Sequence, residues 1–345
     1  MGVDLGDLSV KHTISLQSLS GKIIALDAYN VLYQFLASIR QEDGTPLMDF
    51  KGNITAHLSG LFYRSCKLIE GGIRPVYVFD GKPNVLKQKT QFQRSEIKKR
   101  AEEKWKDALE HGKYEDAKRY AQGTSRLTGE MVEESKLLLS AMGIPHIQAP
   151  SDGEAQAALM VKKGIAHATG SQDYDALLFG SPVLVRNLSI TGRRKVPRQN
   201  RYLIVEPEQI ELKETLSSLE LDQAQLIMLG ILIGTDFNDG VKGVGPKTAL
   251  KIVKSSKTIP ELISYVKEKY EYDFDNPPED VLEIFLNPPY NEPEPLKWSE
   301  INSDEVQKLL VDKHDFSADR LSSSIESLSK ITKERSAQSK LDKWF

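Results

Sequence analysis

Seven carboxylates stand where a chain could use them for chemistry. Asp27 closes the apolar run Lys22–Asp27 (KIIALD), and Asp80 closes Pro75–Asp80 (PVYVFD). Asp152 and Glu154 fall in SDGEAQAAL, Asp173 and Asp175 in SQDYDALLFG, and Asp236 in GTDFNDG. An acid at the end of an apolar strand has to be solvated, paired or bound to metal, because burying its charge alone is costly. A donor set made only of carboxylate oxygens suits hard cations such as Mg²⁺ or Mn²⁺. Two such ions can activate a water and stabilise the leaving oxygen of a phosphodiester. Each acid also has an ordinary reading. Ser151 and Glu154 have the spacing of a capping box, Asp152 suits a helix dipole, and Asp173 and Asp175 suit turns. What sets the group apart is recurrence at one kind of place, the same edge of one sheet.

The elements that must position these acids follow from hydrophobic pattern. Lys22–Asp27 and Pro75–Asp80 read as buried parallel strands, with further candidates at Ile144–Ile147, Ala166–Thr169, Val183–Arg186 and Arg201–Val205. Helical patterns at Asn53–Ile69, Glu130–Met142 and Asp152–Lys163 lie between them. The alternation predicts an α/β fold, a mostly parallel central sheet with helices on both faces. Ligands in such folds bind at the carboxyl ends of the strands, where Asp27 and Asp80 sit. Residues 82–130 interrupt the pattern: Gln91–His111 has the make-up of one long helix, broken at Gly112 and Gly123. An insertion there projects over the site as a lid. After Val205 the chain turns helical, with an apolar helix at Leu221–Ile233, a Gly-rich stretch, a Pro-rich connector at 287–295 and a last helix at Ser317–Ile331. This gives one domain over 1–330 and a mobile polar tail over 331–345.

Bulk numbers exclude several classes. The chain has 345 residues, 39% hydrophobic and 28% charged, with a formal net charge of −3. No apolar stretch reaches the length of a membrane span. The first residues lack a secretory h-region, and Gly6 breaks the myristoylation pattern. The single cysteine, Cys66, excludes an internal disulfide and fits a reducing cytoplasm. The six histidines show no zinc-ligand spacing. A net negative charge alone argues against nucleic acid, but its distribution does not. Lys82–Glu130 holds thirteen Lys and Arg against eight Asp and Glu, and Arg186–Tyr202 holds six Lys and Arg and no acid. Such runs serve equally well as solvated surface or as a phosphate-binding face.

With these residues in view, DAYNVLYQFLASIRQ, PVYVFDGKP, MGIPHIQAPSDGEAQAA, SQDYDALLFGSP and GTDFNDGVKGVGPKTA resemble flap endonucleases of the archaeal and eukaryotic type, in order and in spacing. The resemblance runs from Met1 to Phe345. It implies that Asp27, Asp80, Asp152, Glu154, Asp173, Asp175 and Asp236 hold two Mg²⁺ ions, for which Mn²⁺ can substitute; Asp152 stands where many members have Glu. It implies that Lys87 and Arg94 grip the scissile phosphate, where positive charge offsets charge built in the transition state. Tyr33 matches an aromatic on which a terminal base stacks, Arg40 a residue near the DNA bend, and Gly2 an amino terminus near the site. Gly240–Lys247 resembles a helix–two-turns–helix DNA clamp within 234–255. There Gly243 and Gly245 leave backbone N–H groups open, Pro246 suits a first helical turn, and Lys247 stands beside a helix start that faces a phosphate. In the family the carbonyls of this turn hold K⁺.

The chain closes on Gln338, Leu341, Trp344 and Phe345, spaced as in a sliding-clamp (PCNA) interaction motif. A tight helical turn would gather the three apolar side chains as a plug for an apolar pocket. The Lys-rich extension of eukaryotic relatives is missing, which points to an archaeal, cytoplasmic protein. The expected activity is metal-dependent removal of 5′ flaps at single-strand/duplex junctions, with 5′–3′ exonuclease activity, in replication (Okazaki fragment maturation) and repair. The free protein is expected to be a monomer. Alternatives are a 5′ nuclease acting on recessed ends or bubbles, a non-catalytic clamp-bound DNA scaffold, and a phosphatase. The last needs a DxDx motif that Asp27-Ala-Tyr-Asn does not supply.

Overall fold

The computed structural model describes residues 2–41, 43–190, 192–195 and 202–341. In chain order the described strands are β1 His12–Thr13, β2 Ile23–Asp27, β3 Arg74–Phe79, β4 His146–Gln148, β5 Ala168–Gly170, β6 Val183–Arg186, β7 Gly192–Lys195, β8 Tyr202–Val205 and β9 Glu208–Glu211. Seven of them form one sheet in the order β1-β9-β6-β5-β2-β3-β4. The stretch from β6 to β4 is parallel throughout. Ile24, Ala25 and Leu26 in β2 and Val76, Tyr77, Val78 and Phe79 in β3 are buried, as unbroken apolar runs require when both faces are covered.

The parallel order is set by where the chain turns back. From β2 it moves outward through β3 to β4, then returns to β5 on the other side of β2. The strand order therefore reverses between β2 and β5. A crevice opens at the carboxyl ends of the strands at such a reversal.

Helices cover both faces. On one, α1 Ala28–Ser38, α2 Ala56–Glu70 and α5 Gly129–Ala141 bury Leu32, Phe62 and Leu138 against Ile24 and Tyr77. On the other, α6 Gly153–Lys162 packs Ala157 and Met160 on Ala25 and Val76. Between β3 and α5 rise α3 Gln88–Glu110 and α4 Tyr114–Gln122, the insertion, which pack on one another. Beyond the sheet, the short α7 Asp175–Leu178 and α8 Leu212–Leu219 lead to α9 Gln223–Ile233. Leu226, Ile227, Met228, Leu229, Ile231 and Leu232 of α9 are all buried, so an evenly apolar helix has become the centre of a second core. No single described helix is long and apolar enough to cross a membrane.

Several expected boundaries move, each for a local reason. The helix expected from Asn53 begins at Ala56, because Asn53 is held by Asp49: its N–H donates to Asp49 Oδ1 at 2.8 Å and its side chain to Oδ2 at 2.8 Å. The helix expected from Leu221 begins at Gln223, behind a reciprocal capping box between Asp222 and Gln225. The strand candidate at Arg201–Val205 is present as β8, but it pairs only with β7 in a separate antiparallel ribbon. Tyr202, Leu203 and Ile204 on it are exposed, so its apolar run is not a core run. Strands β1 and β9 were not anticipated. They add antiparallel edges with Ile210 as their only buried residue, too little apolar pattern to announce a strand. The last helix, expected to end at Ile331, runs from Ala318 to Leu341.

Candidate active site

All seven carboxylates line one open cleft at the strand-order reversal. Each reaches it from a different local device. Asp27 is the last residue of β2 and the N-cap of α1; its Oδ1 accepts the Asn30 N–H at 3.1 Å. Asp80 follows β3 and accepts the Gly153 N–H at 2.7 Å. A Cβ at Gly153 would lie 2.8 Å from Asp80 Oδ1 and 3.0 Å from Val78 O, so only glycine lets the start of α6 come this close. Asp173 follows β5, and its Oδ2 accepts the Asn30 side-chain amide at 2.9 Å. Asp175 opens α7, almost wholly buried. Asp236 sits in a turn after α9 that is fixed by Thr235 and Asn238, whose side chains bond one another at 2.8 Å.

Of the ordinary readings, the capping box does not form, while Asp152 keeps the place at a helix start that suits the dipole. Asp152 occupies the N-cap position of α6 but makes no side-chain cap bond; its carboxylate accepts from Lys87 instead. Glu154 closes no capping box, because its partner is the Ser171 hydroxyl. Asp173 points to α1, and Asp175 belongs to a helix rather than a turn.

Charge is crowded here. Burial pushes the Asp175 carboxyl up to about 7, with Asp236 and Asp173 adding repulsion. Burial likewise lifts Asp80 to about 6. Burial, then repulsion from Asp80, holds Asp27 well above the carboxylate range; burial, then repulsion from Asp27, does the same for Glu154. Buried like charges resist ionisation unless a cation joins them. Among the described residues, two cations stand in the cleft. Lys87 pairs with Asp152 and lies 3.8 Å from Asp236; burial opposes its charge, but those two acids outweigh burial and raise its pKa. Its ammonium also lies over the Phe237 ring, 4.7 Å from the centroid. Arg94 pairs with Asp236. Two cations among seven acids leave a strong negative excess, and the oxygen-only donor set fits hard divalent ions. Among the described residues no three acids are closed around one ion position; the acids border a common space rather than a finished cage.

The remaining expected residues fall in three places. Tyr33 lines the cleft one helical turn beyond Tyr29. Gly2 lies against Asp175: a Cβ there would be 2.6 Å from Oδ1, and the neighbouring Val3 N–H donates to that oxygen at 2.7 Å. Gly243, Gly245 and Lys247 are exposed around the start of α10 Pro246–Ser255. Gly243 has φ +84°, and neither glycine would meet an atom within 4 Å on gaining a Cβ, so the backbone there is open to a ligand. Arg40 is turned away from the cleft into bonds with protein groups. Of the clamp motif, Gln338 and Leu341 fall on the last helix by backbone, while Trp344 and Phe345 lie outside the described residues.

Sequence reasoning missed the residues that hold the acids. Asn30 bridges the Asp27 and Asp173 segments, its Oδ1 accepting the Gln172 N–H at 3.2 Å. Lys98 sits 4.5 Å from the Tyr33 ring centroid. The one available signal was spacing: Lys87, Gln91, Arg94 and Lys98 recur as one face of a helix.

The XPG N-terminal domain matches residues 5–101 and the XPG I-region residues 143–236. Flap endonuclease 1 of Thermofilum pendens is 51% identical over 348 residues, covering 100% of this chain and 99% of its own. That of Aeropyrum pernix is 51% identical over 352 residues, covering 100% of both. The solved structure of flap endonuclease-1 from Methanococcus jannaschii superposes with a TM-score of 0.76 at 41% identity, covering 97% of this chain and 100% of its own. The catalytic core of Rad2 in complex with DNA substrate shares the fold, with a TM-score of 0.71 at 24% identity over 95% of this chain and 100% of that one. With this identity along its whole length, the chain belongs to the flap endonuclease 1 family, nucleases of the archaeal type.

Proposed function

We propose that this chain hydrolyses a phosphodiester at the junction of a 5′ single-stranded flap with duplex DNA. The observation that carries this reading is the convergence of seven carboxylates and two cations, Lys87 and Arg94, on one cleft beneath a helical insertion. When bound, two Mg²⁺ ions would supply the activation of water and the stabilisation of the leaving oxygen. Asp27, Asp80, Glu154, Asp173 and Asp175 would hold them, with Asp152 and Asp236 on the side facing Lys87 and Arg94. Lys87 and Arg94 are ion-paired to acids before substrate arrives. A phosphate entering the cleft would compete for the same N–H donors and place positive charge beside the reacting phosphorus. Tyr33 offers a ring for a base unstacked from the duplex end. Bringing the reacting nucleotide down to the acids requires unpairing, a cost of a few kcal/mol. Stacking on Tyr33 would offset part of it.

Duplex DNA beyond the junction would lie on the start of α10, with the open backbone at Gly243 and Gly245 and the Lys247 ammonium toward a phosphate. We assign K⁺ to the carbonyls of that turn, and the PCNA sliding clamp to Gln338, Leu341, Trp344 and Phe345, on sequence resemblance. A labelled 5′-flap duplex incubated with Mg²⁺ tests the central claim. Wild type should release the flap, and Asp175→Ala should not. No cleavage by wild type would remove the nuclease reading in favour of a DNA scaffold. Cleavage restricted to recessed ends or bubbles would favour a related 5′ nuclease.

A further inference from the structure

The Pro-rich connector runs without helix or strand over 287–302, yet it is held along its length. Trp298 Nε1 donates to Pro75 O at 2.9 Å, and the Arg74 guanidinium lies 4.0 Å from the Trp298 ring centroid. The Ser299 N–H donates to Gly143 O at 3.1 Å and the Asn302 N–H to Ala141 O at 2.7 Å. Tyr290 and Leu296 pack on the core that Ala157 and Met160 of α6 share with Val76 of β3. Helix α6 therefore meets the sheet on one side and the connector on another.

The tie between α6 and the connector is a single side chain. Gln156 is fully buried. Its Nε2 donates to Asn291 O at 2.7 Å, and its Oε1 accepts the Asn291 N–H at 3.0 Å. A carboxamide carries a donor and an acceptor, so one side chain here pairs with a backbone as a neighbouring strand does. Burying that amide is costly unless both ends are paired. Gln156 also belongs to the first turn of α6, because its own N–H donates to Asp152 O at 3.1 Å. The same turn serves the cleft. The Gly153 N–H donates to Asp80 Oδ1 at 2.7 Å, and Glu154 accepts from the Ser171 hydroxyl. Glu154 and Gln156 are two residues apart, about 200° around the helix axis. One turn of helix thus reaches from the connector to the acids. Glycine at 153 allows the approach to Asp80 but brings no side chain to hold it. The hold comes from the other side of the helix.

We propose that Gln156 is a positioning residue: by pairing with the backbone of Asn291 it holds the first turn of α6 against Asp80, keeps Glu154 at the cleft, and so sets the affinity of the acids for divalent cations. The inference rests on the metal-dependent reading above for its effect on cations; the tie itself needs none. Coupling of this kind is reciprocal, so whatever the tie contributes to cation binding, the cation returns to the tie. A residue that merely fastened the connector would matter to stability alone, as Trp298 does.

Gln156→Met keeps the length of the side chain and removes both bonds. Trp298→Phe removes the bond to Pro75 O, at the end of β3 away from Asp80, and shows what loss of a connector contact does by itself. Amide exchange at Gly153 and Asn291 is followed by NMR in chelator and in Mg²⁺. The Mg²⁺ concentration for half-maximal cleavage of a 5′-flap duplex is read in single turnover. In chelator the Gly153 amide of Gln156→Met should exchange roughly 10-fold faster, as its contact opens more often. The variant should need roughly 10- to 100-fold more Mg²⁺, the scale of a lost group that orients a metal ligand, and excess Mg²⁺ should restore its rate. Trp298→Phe should melt below wild type and leave Gly153 exchange and the Mg²⁺ requirement unchanged. In wild type, saturating Mg²⁺ should slow exchange at Asn291 by roughly 10-fold or more, the reciprocal of the same coupling, a measurement that needs no variant to fold. Three results overturn the proposal: Gly153 exchange and Mg²⁺ requirement unchanged in Gln156→Met, equal shifts in Trp298→Phe, or Asn291 exchange indifferent to Mg²⁺ in a wild type that cuts. A wild type that cuts no flap would strike the functional reading alone, since the Gly153 comparison in chelator reads the tie without cation or substrate.

Discussion

Asp175 meets two demands that conflict. In the cation-binding role proposed for it, it would have to be ionised, yet its burial beside Asp236 and Asp173 pushes its carboxyl up to about 7. A carboxyl whose pKa is raised by folding binds its proton more tightly in the native state. Between the ordinary value of 3.8 and about 7 the native protein holds more protons than the unfolded chain, so this group lowers stability as pH rises through that window. A divalent ion that binds only the folded state would reverse the loss. Asp175→Asn keeps Oδ1 as acceptor for the Val3 N–H at 2.7 Å and removes the charge. In chelator at neutral pH the variant should therefore melt above wild type, while Mg²⁺ should raise its Tm less than it raises that of wild type; cleavage should be lost. A melting temperature at or below wild type in chelator would show that crowding at Asp175 costs the fold nothing. The acids were legible in the sequence because a charge closing an apolar run contradicts its surroundings. Asn30, Ser171 and Gly153 were not. A polar residue or a glycine within a helical pattern contradicts nothing until a second segment arrives against it.

Helices and strands were legible in proportion to how much apolar surface they bury. The run KIIALD announced β2, and the evenly apolar QLIMLGILI announced α9, because each is covered on all sides. The ribbon of β7 and β8 misled, since YLIV has the composition of a core strand and the exposure of a surface one. Polar joints between helices left no trace. The joint of α2 with α5 is the clearest case. His57 on α2 is fully buried, and neither ring nitrogen has a hydrogen-bond partner among the described residues; Glu134 on α5 lies 3.7 Å away. Glu134 is engaged by His314 Nε2 at 2.9 Å and Lys313 at 2.6 Å, while His314 Nδ1 meets Asp49 at 3.0 Å. Burial drops His57 from 6.5 to about 4, outweighing the attraction of Glu134. The folded protein therefore takes up this proton only near pH 4, whereas the unfolded chain takes it up near 6.5, so stability falls as pH falls through that window. The loss attributable to His57 is on the order of 3 kcal/mol. His57→Leu should flatten the decline seen in denaturant titrations between neutral pH and pH about 4. An unchanged decline would assign the acid sensitivity to other groups.

For the whole molecule, the formal charge of −3 conceals a division of labour. Acids gather in the cleft, while Lys82–Glu130, which folds into the insertion beside it, carries a local excess of five positive charges. A mean taken over the chain erases that contrast, so composition argued against the partner that the family membership supports. The clamp docking proposed for the last helix would add a further separation, between chemistry and delivery. The helix runs to Leu341, and among its described side chains Leu321, Ile325 and Leu328 are buried against the body of the protein, with Ile331 packed beside them. Removing Gln338–Phe345 leaves these residues and every described residue of the cleft in the chain. If the clamp docks on this segment, it acts by raising the local concentration of enzyme at the junction, a gain of about 10²–10⁴ in avidity that needs no new contact at the acids. The truncated protein should then cut a 5′ flap in Mg²⁺ at the wild-type single-turnover rate and melt at the wild-type temperature, yet gain nothing from added sliding clamp at low enzyme concentration. Lost basal cutting would make the segment part of the fold. Retained stimulation would move the clamp site elsewhere, and the exposed Tyr202, Leu203 and Ile204 of the β7–β8 ribbon would be the next surface to substitute.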